Sequence, residues 1–147
     1  MSIKYQSILV AIDGSKESDW AFHKAVKIAK ESDALLVLAH VIDVRAFATV
    51  EAYDQSISAR TEQYAKELLE KYGQLANHHN VPNTKIVIEY GSPKVKIPKD
   101  IAQKYNIDLI VCGATGLNAV ERFFIGSVSE HIVRFAKCDV LVVRSNE

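Results

Sequence analysis

The stretch Leu109-Ile110-Val111-Cys112-Gly113-Ala114-Thr115-Gly116 combines a short apolar run with a loop that contains two glycines. Gly126-Ser127 follow after nine intervening residues and open a helical pattern. Four apolar residues bounded by turn residues are typical of a strand buried on both faces. Glycines let the backbone approach a ligand, and the start of a helix offers unpaired N–H groups with partial positive charge. The segment therefore predicts a strand, a loop and a helix that together bind an anion, with the Ser127 hydroxyl as a further donor.

Apolar runs and helical patterns alternate along the rest of the chain. Strands this apolar belong in a parallel sheet that is covered by helices on each side. Right-handed crossovers then predict an α/β fold with a doubly wound five-stranded parallel sheet and helices on both faces. We take 3-2-1-4-5 as the expected strand order. The predicted strands are residues 8–12, 35–42, 85–89, 109–112 and 140–143, and the predicted helices are residues 16–31, 57–79, 98–105 and 127–137.

The composition favours a single domain over residues 1–147. Apolar residues make up 48% of the 147 residues, enough for one hydrophobic core. Lysine and arginine balance aspartate and glutamate at 18 each, so the net charge gives no case for a nucleic acid or membrane partner. No apolar run approaches the roughly 20 residues of a membrane span. Cys112 and Cys138 match no zinc or redox motif, and we expect both to be reduced in a cytoplasmic protein.

Three predicted strands end in polar or glycine-containing segments. Asp13-Gly14-Ser15 follows the first strand, Asp43 ends the second, and the glycine loop follows the fourth. In the order 3-2-1-4-5 the first and fourth strands are neighbours where the strand order reverses, which is where ligands bind in open parallel sheets. A carboxylate opposite a glycine loop suits a nucleotide. The chain has neither a P-loop nor a G-x-G-x-x-G after the first strand, which excludes the usual P-loop and dinucleotide enzymes.

Several of these features also have a purely structural explanation. Asp13 can serve only as a cap for the first helix. Ser129 is either a second phosphate contact or an ordinary first-turn helix residue. Arg122 either reaches a phosphate or lies on the surface, and residues 43–56 form either a flap over a ligand or a surface loop. The five histidines show no metal-ligand spacing, so the sequence predicts no metal site built from them.

The spacing G-x2-G-x9-G-[ST], here Gly113, Gly116, Gly126 and Ser127, resembles the nucleotide-binding signature of the ATP-binding branch of the universal stress protein family. Nearly the whole chain shares the resemblance, which implies a Rossmann-like fold of the adenine nucleotide alpha hydrolase type. Further matching fragments are residues 8–15, 40–41, 91–93 and 108–111. One departure is the segment 94–98, which is about one residue longer than usual and contains Pro98. Because proline is placed best in a first helical turn, we expect the third helix to begin near Pro98 or to bend there.

The resemblance implies a role for each site residue. The adenosine would lie against Ala11, Ile12 and Asp13, and the Val41 backbone would hydrogen-bond the adenine edge. Gly113 would approach the ribose and α-phosphate, and the Cys112 backbone would line the ribose pocket. The phosphate chain would be held by Gly116, Gly126, Ser127 and Val128. A further expectation is that Gly113→Val blocks the ligand while the fold survives.

The resemblance also implies a stress-response sensor or regulator that binds ATP, ADP or AMP, with Mg²⁺ bound through the phosphates. Members of the family usually form homodimers through the last strand, here Val140–Arg144, and an unidentified regulatory protein would be a further partner. Two alternatives stay open. One is a slow Mg²⁺-dependent ATPase, for which the sequence offers no obvious general base. The other is a dimeric interaction module with a vestigial nucleotide site.

Overall fold

The computed structural model describes residues 4–43, 55–115 and 125–144. Five strands form one sheet in the order β3-β2-β1-β4-β5, and every neighbouring pair is parallel. The predicted fold class and strand order are therefore confirmed. The strands are β1 (Ser7–Ala11), β2 (Leu35–Asp43), β3 (Thr84–Gly91), β4 (Leu109–Gly113) and β5 (Asp139–Val143). The helices are α1 (Lys16–Ser32), α2 (Gln55–His78), α3 (the consecutive pieces Pro93–Val95, Lys96–Ile101 and Ala102–Lys104) and α4 (Ser127–Phe135).

The sheet is covered on both faces because its strands point alternate apolar side chains in opposite directions. On β1, Ile8 and Val10 belong to a buried cluster with side chains of α1 and α2. Leu9, between them, belongs to a second cluster with side chains of α3 and α4. The α3 and α4 face carries the candidate site. None of the described helices is both long enough and apolar enough to cross a bilayer.

The turn between β1 and α1 is held by short side chains. Ser15 is the N-cap of α1, and its hydroxyl accepts a hydrogen bond from the Ser18 N–H at 3.1 Å. The carboxylate of Asp13 accepts a hydrogen bond from the Ser15 N–H at 2.9 Å through Oδ1. Between them, Gly14 has a φ of +89°, a conformation that glycine adopts at little cost. The N-cap is therefore Ser15, and Asp13 holds the capping serine in place.

Helix α3 begins earlier than the sequence predicts. It starts at Pro93 instead of near Pro98, and residues Lys96–Ile101 form a π-helical turn. Within this turn the Ala102 N–H donates to the Ile97 carbonyl, five residues back. A proline inside an α-helix removes one hydrogen bond and clashes with the preceding turn. A π-helical turn contains one more residue than an α-helical turn, so it accommodates both Pro98 and the additional residue noted in the sequence.

Gly113 ends β4 directly against the first turn of α1. A Cβ atom added at Gly113 would lie 2.6 Å from the Glu17 Cβ and 2.9 Å from the Glu17 backbone carbon. Glycine is therefore required here by the close packing of α1 on β4. The expectation that a side chain at this position blocks a ligand without harming the fold is wrong, because the missing side chain points toward α1.

We predict that Gly113→Ala lowers the free energy of unfolding by about 1–3 kcal/mol, because the added methyl group pushes α1 away from β4. Urea denaturation followed by circular dichroism measures the change. Gly73→Ala is the matched control, since its added Cβ would lie 3.8 Å from the nearest side-chain atom, in the interior of α2. The control should gain about 0.5–1 kcal/mol from helix propensity. Equal stabilities for the two variants would contradict this account of Gly113.

Candidate functional site

A cavity of about 460 Å³ opens at the carboxyl ends of β1, β2 and β4, beside α3 and α4. This is the position that the strand order predicts for a ligand in an open parallel sheet. The volume is within the range of small-molecule sites. The lining residues are Ala11, Ile12, Asp13, Ser18, Ala39, His40, Val41, Asp43, Pro93, Ile97, Cys112, Gly113, Thr115, Gly126, Ser127, Val128, Ser129 and Ile132.

Nine of the ten site residues taken from the sequence line this one cavity, although they come from four separate parts of the chain. They are Ala11, Ile12, Asp13, Val41, Cys112, Gly113, Gly126, Ser127 and Val128. The tenth, Gly116, lies outside the described residues, as do Arg122 and most of the segment 43–56. The structure thus brings the nine together, and their binding role stays a prediction.

The N-terminus of α4 supplies the electropositive end of the cavity. Gly126 is the N-cap residue, and no side chain of the described residues caps the helix. The first N–H groups of a helix have no intrahelical acceptor, so the amides of Ser127 and Val128 are suited to an anion. The Gly126 N–H itself donates to the Ala114 carbonyl at 2.7 Å, which holds the helix start against the end of β4. This hydrogen bond therefore fixes the position of the α4 N-terminus in the absence of a ligand.

Ser129 anchors this arrangement from inside. Its side chain is buried, and its hydroxyl donates a hydrogen bond to the Gly113 carbonyl. The hydroxyl is thus used to join α4 to β4, which favours the structural explanation of Ser129 over a phosphate contact. Beside it, burial raises the pKa of the Cys112 thiol to about 11. Cys112 therefore stays protonated and uncharged at neutral pH, and adds no negative charge near the anion end.

The opposite wall carries acidic groups. Asp13 uses Oδ1 to hold Ser15, and within the described residues its Oδ2 has no hydrogen-bond partner. Asp43 also lines the cavity, whereas no lysine or arginine does so in the part of the chain that the structure describes. An anion bound here is therefore held by amides and hydroxyls, and not by a described cationic side chain. The described residues also contain no group of three or more His, Cys, Asp or Glu side chains able to hold a metal ion.

His40 links the ends of two strands at the cavity wall. Its Nδ1 lies 2.7 Å from the Ile12 carbonyl oxygen. Because a carbonyl oxygen only accepts, Nδ1 of His40 donates the proton in this hydrogen bond. The Ile12 N–H donates in turn to the Ala39 carbonyl at 2.8 Å. The residue that follows β1 is thus held against β2 just before Val41.

Apolar side chains complete the cavity, and sequence reasoning missed four of them. The four are Ala39, Pro93, Ile97 and Ile132, which add to the predicted Ala11, Ile12, Val41 and Val128. Two of the missed residues had a usable signal: Ala39 is two residues before Val41 on the same face of β2, and Ile132 is one helical turn beyond Val128. Ile97 had none, because its direction depends on the π-helical turn. Ser18 and Thr115 were also missed, and they line the cavity with hydroxyl groups.

Comparisons with known proteins match nearly the full length of the chain. A model of the universal stress protein family matches residues 4–144. A universal stress protein homologue from Staphylococcus haemolyticus is 49% identical over 145 residues, which cover 99% of this chain and 88% of that protein.

Solved structures give the same result. The universal stress protein UspA from Lactobacillus plantarum superimposes with a TM-score of 0.85 at 36% identity, covering 97% of this chain and 100% of the other. A universal stress protein solved in complex with cAMP has a TM-score of 0.69 at 26% identity, and the match covers 96% of this chain and 98% of that one. The chain therefore belongs to the universal stress protein family.

Proposed function

We propose that this universal stress protein binds ATP or a related adenine nucleotide in the cavity, and acts as a stress-response regulator whose partner choice depends on nucleotide occupancy. The uncapped N-terminus of α4, which faces the same cavity as Asp13 and Val41, is the observation that carries the proposal. The relative solved with cAMP adds support, since that ligand contains both an adenine and a phosphate.

The cavity suits the two ends of such a ligand differently. The phosphates would be bound by the amides of Ser127 and Val128 at the α4 N-terminus, together with Gly116. The adenosine would lie near Val41. The Oδ2 of Asp13, which has no hydrogen-bond partner among the described residues, would accept a hydrogen bond from a hydroxyl or amino group. Both ends of the ligand then have a complementary surface in one cavity.

A divalent cation fits the proposed site as part of the nucleotide complex. The described lining has two carboxylates and no lysine or arginine, so among the described residues a triphosphate would meet only backbone amides and hydroxyl groups as donors. Mg²⁺ bound through the phosphate oxygens would supply positive charge. The described residues provide no separate metal cage, and Asp13 and the hydroxyls of Thr115 and Ser127 would bind and orient the ligand.

Calorimetry tests the proposal with ATP, ADP and AMP, each with and without Mg²⁺. We expect at least one of them to bind. Gly126→Asp should weaken the affinity about tenfold or more, because its carboxylate occupies the α4 amides and repels phosphate. The helix should keep its stability, since aspartate is a good N-cap and Gly126 has a φ of −65°.

Gly126→Asn is the matched control, because asparagine has the same shape and capping ability without the charge. Its affinity for nucleotide should exceed that of Gly126→Asp. Failure of the wild-type protein to bind any of the three nucleotides would overturn the proposal. Phosphate release by the wild-type protein that Gly126→Asp lacks would establish the ATPase alternative.

Alkylation of Cys112 provides a second test in a Cys138→Ser background. Cys112 is 3% exposed and has a pKa of about 11, so iodoacetamide should react with it slowly at pH 7. Below that pKa the thiolate fraction, and with it the rate, should rise about tenfold for each pH unit. Mass spectrometry should show that saturating nucleotide slows the labelling further. A labelling rate that is independent of bound nucleotide would place the ligand elsewhere.

We also propose that the protein forms a homodimer in the cytoplasm through residues 140–144. Among the described strands β5 pairs only with β4, so one of its edges is open, and Val140, Leu141 and Val142 are only partly buried. An apolar edge strand of this kind tends to pair with another chain. Both cysteines are free, which suits a reducing compartment.

Val142→Glu should convert the dimer to a monomer, because it introduces a charge at the edge that the two copies would share. Sedimentation velocity measures the mass. Ile86→Glu is the control, since Ile86 is 39% exposed on β3, the opposite edge of the sheet. The β5 assignment is wrong if the wild-type protein sediments as a monomer or if the Ile86 variant alone dissociates.

A further inference from the structure

The π-helical turn of α3 has a direct connection with the candidate site. Of the residues in this turn, Ile97 lines the cavity, and Pro93 reaches it from the preceding helical piece. Ile97 is 4% exposed and belongs to the same buried cluster as Val41, Ile132 and Cys112. The apolar wall of the cavity is therefore the ligand-facing part of this core, and α3 closes it.

Contacts toward the core and toward β3 fix the orientation of the π-helical turn. Inward, Ile97 is buried against the sheet. Outward, the neighbouring Lys96 pairs with Asp100 at 3.2 Å and with Glu89 of β3 at 3.9 Å. The alkyl part of Lys96 covers Gly91, where an added Cβ would lie 3.0 Å from the Lys96 Cε. Ile97 points to the core and the neighbouring Lys96 points to β3. Contacts on both faces of the turn therefore set the direction of the Ile97 side chain.

A second isoleucine in the same turn provides a contrast. Ile101 is 2% exposed and lies in the same cluster as Ile97. It is absent from the cavity lining. The two residues therefore make similar contributions to packing, and only one of them faces the ligand space.

We infer that Ile97, directed by the π-helical turn, is a specificity-determining residue that limits the size of the base accepted at the apolar end of the cavity. The inference rests on the proposed binding of an adenine nucleotide. Ile97 presents a branched, rigid side chain at the wall shared with Val41, so it excludes bases enlarged on the edge that faces it. Pro98 supports this role indirectly, because it favours the widened turn.

The experiment compares the affinities of ATP, N6-benzyl-ATP and 2-methylthio-ATP by calorimetry, with the wild-type protein and with Ile97→Ala, Ile97→Val and Ile101→Ala. The wild-type protein should prefer ATP over both enlarged analogues. Ile97→Ala should reduce that preference about tenfold for at least one analogue, since a missing methyl or methylene group in a pocket changes selectivity by one to two orders of magnitude. Ile97→Val should produce a smaller change in the same direction.

The Ile101→Ala control distinguishes an effect on the ligand cavity from an effect on core packing. Ile101→Ala removes the same atoms from the same turn and should leave the preference for ATP unchanged, whatever it does to stability. An unchanged preference in both Ile97 variants would overturn the inference, and so would an equal change in Ile101→Ala. If Ile97→Ala does not fold, Ile97→Val still decides the question.

Two outcomes distinguish this inference from the proposed function. If the wild-type protein binds ATP but its preference for ATP does not depend on Ile97, this inference alone fails. If the wild-type protein binds none of ATP, ADP and AMP, the proposed function fails as well.

Discussion

The close contact between Gly113 and the first turn of α1 is the constraint on which the rest of the site depends. No side chain separates the end of β4 from Glu17, and α1 lies too close to β4 for a Cβ atom at position 113. The Asp13 turn therefore lies next to the residues that follow β4. Two hydrogen bonds join the end of β4 to its other neighbours. The Ser129 hydroxyl of α4 donates to the Gly113 carbonyl, and the Ala114 N–H donates to the Val143 carbonyl at the end of β5. The start of α4 is thereby held on the other side of the same crevice.

One part of the cavity combines backbone amides with acidic side chains. Its positive character comes from the uncapped α4 amides, and its described charged side chains are the carboxylates Asp13 and Asp43. Backbone amides are already oriented and lose no side-chain entropy when an anion binds. Their partial charges are small, which is the reason a highly charged phosphate chain benefits from a cation. Recognition of this kind depends on the position of α4, so the bonds that anchor α4 matter as much as the groups that face the ligand.

The apolar end depends on a different element. Helix α3 contributes Pro93 and Ile97, while β2 contributes Ala39 and Val41. The π-helical turn lets α3 accept Pro98 in its interior and still bury Ile97 and Ile101 against the sheet. The two ends of the cavity can thus vary separately, since one is built by β4 and α4 and the other by β2 and α3.

The sequence by itself determined the α/β class, the strand order and most of the candidate site. Apolar strands alternate with helical patterns locally, and the ends of parallel strands must meet at one edge, so Asp13 and Gly113 could be assigned to one crevice. The family resemblance added Val41 and Gly126. Only the tertiary structure decided that the bare face of Gly113 meets α1, that the Ser129 hydroxyl is used by Gly113, and that Ile97 faces the cavity. These properties depend on how helices are rotated against the sheet, because a side chain's direction is set by contacts between segments distant in the sequence, and no local pattern contains that information.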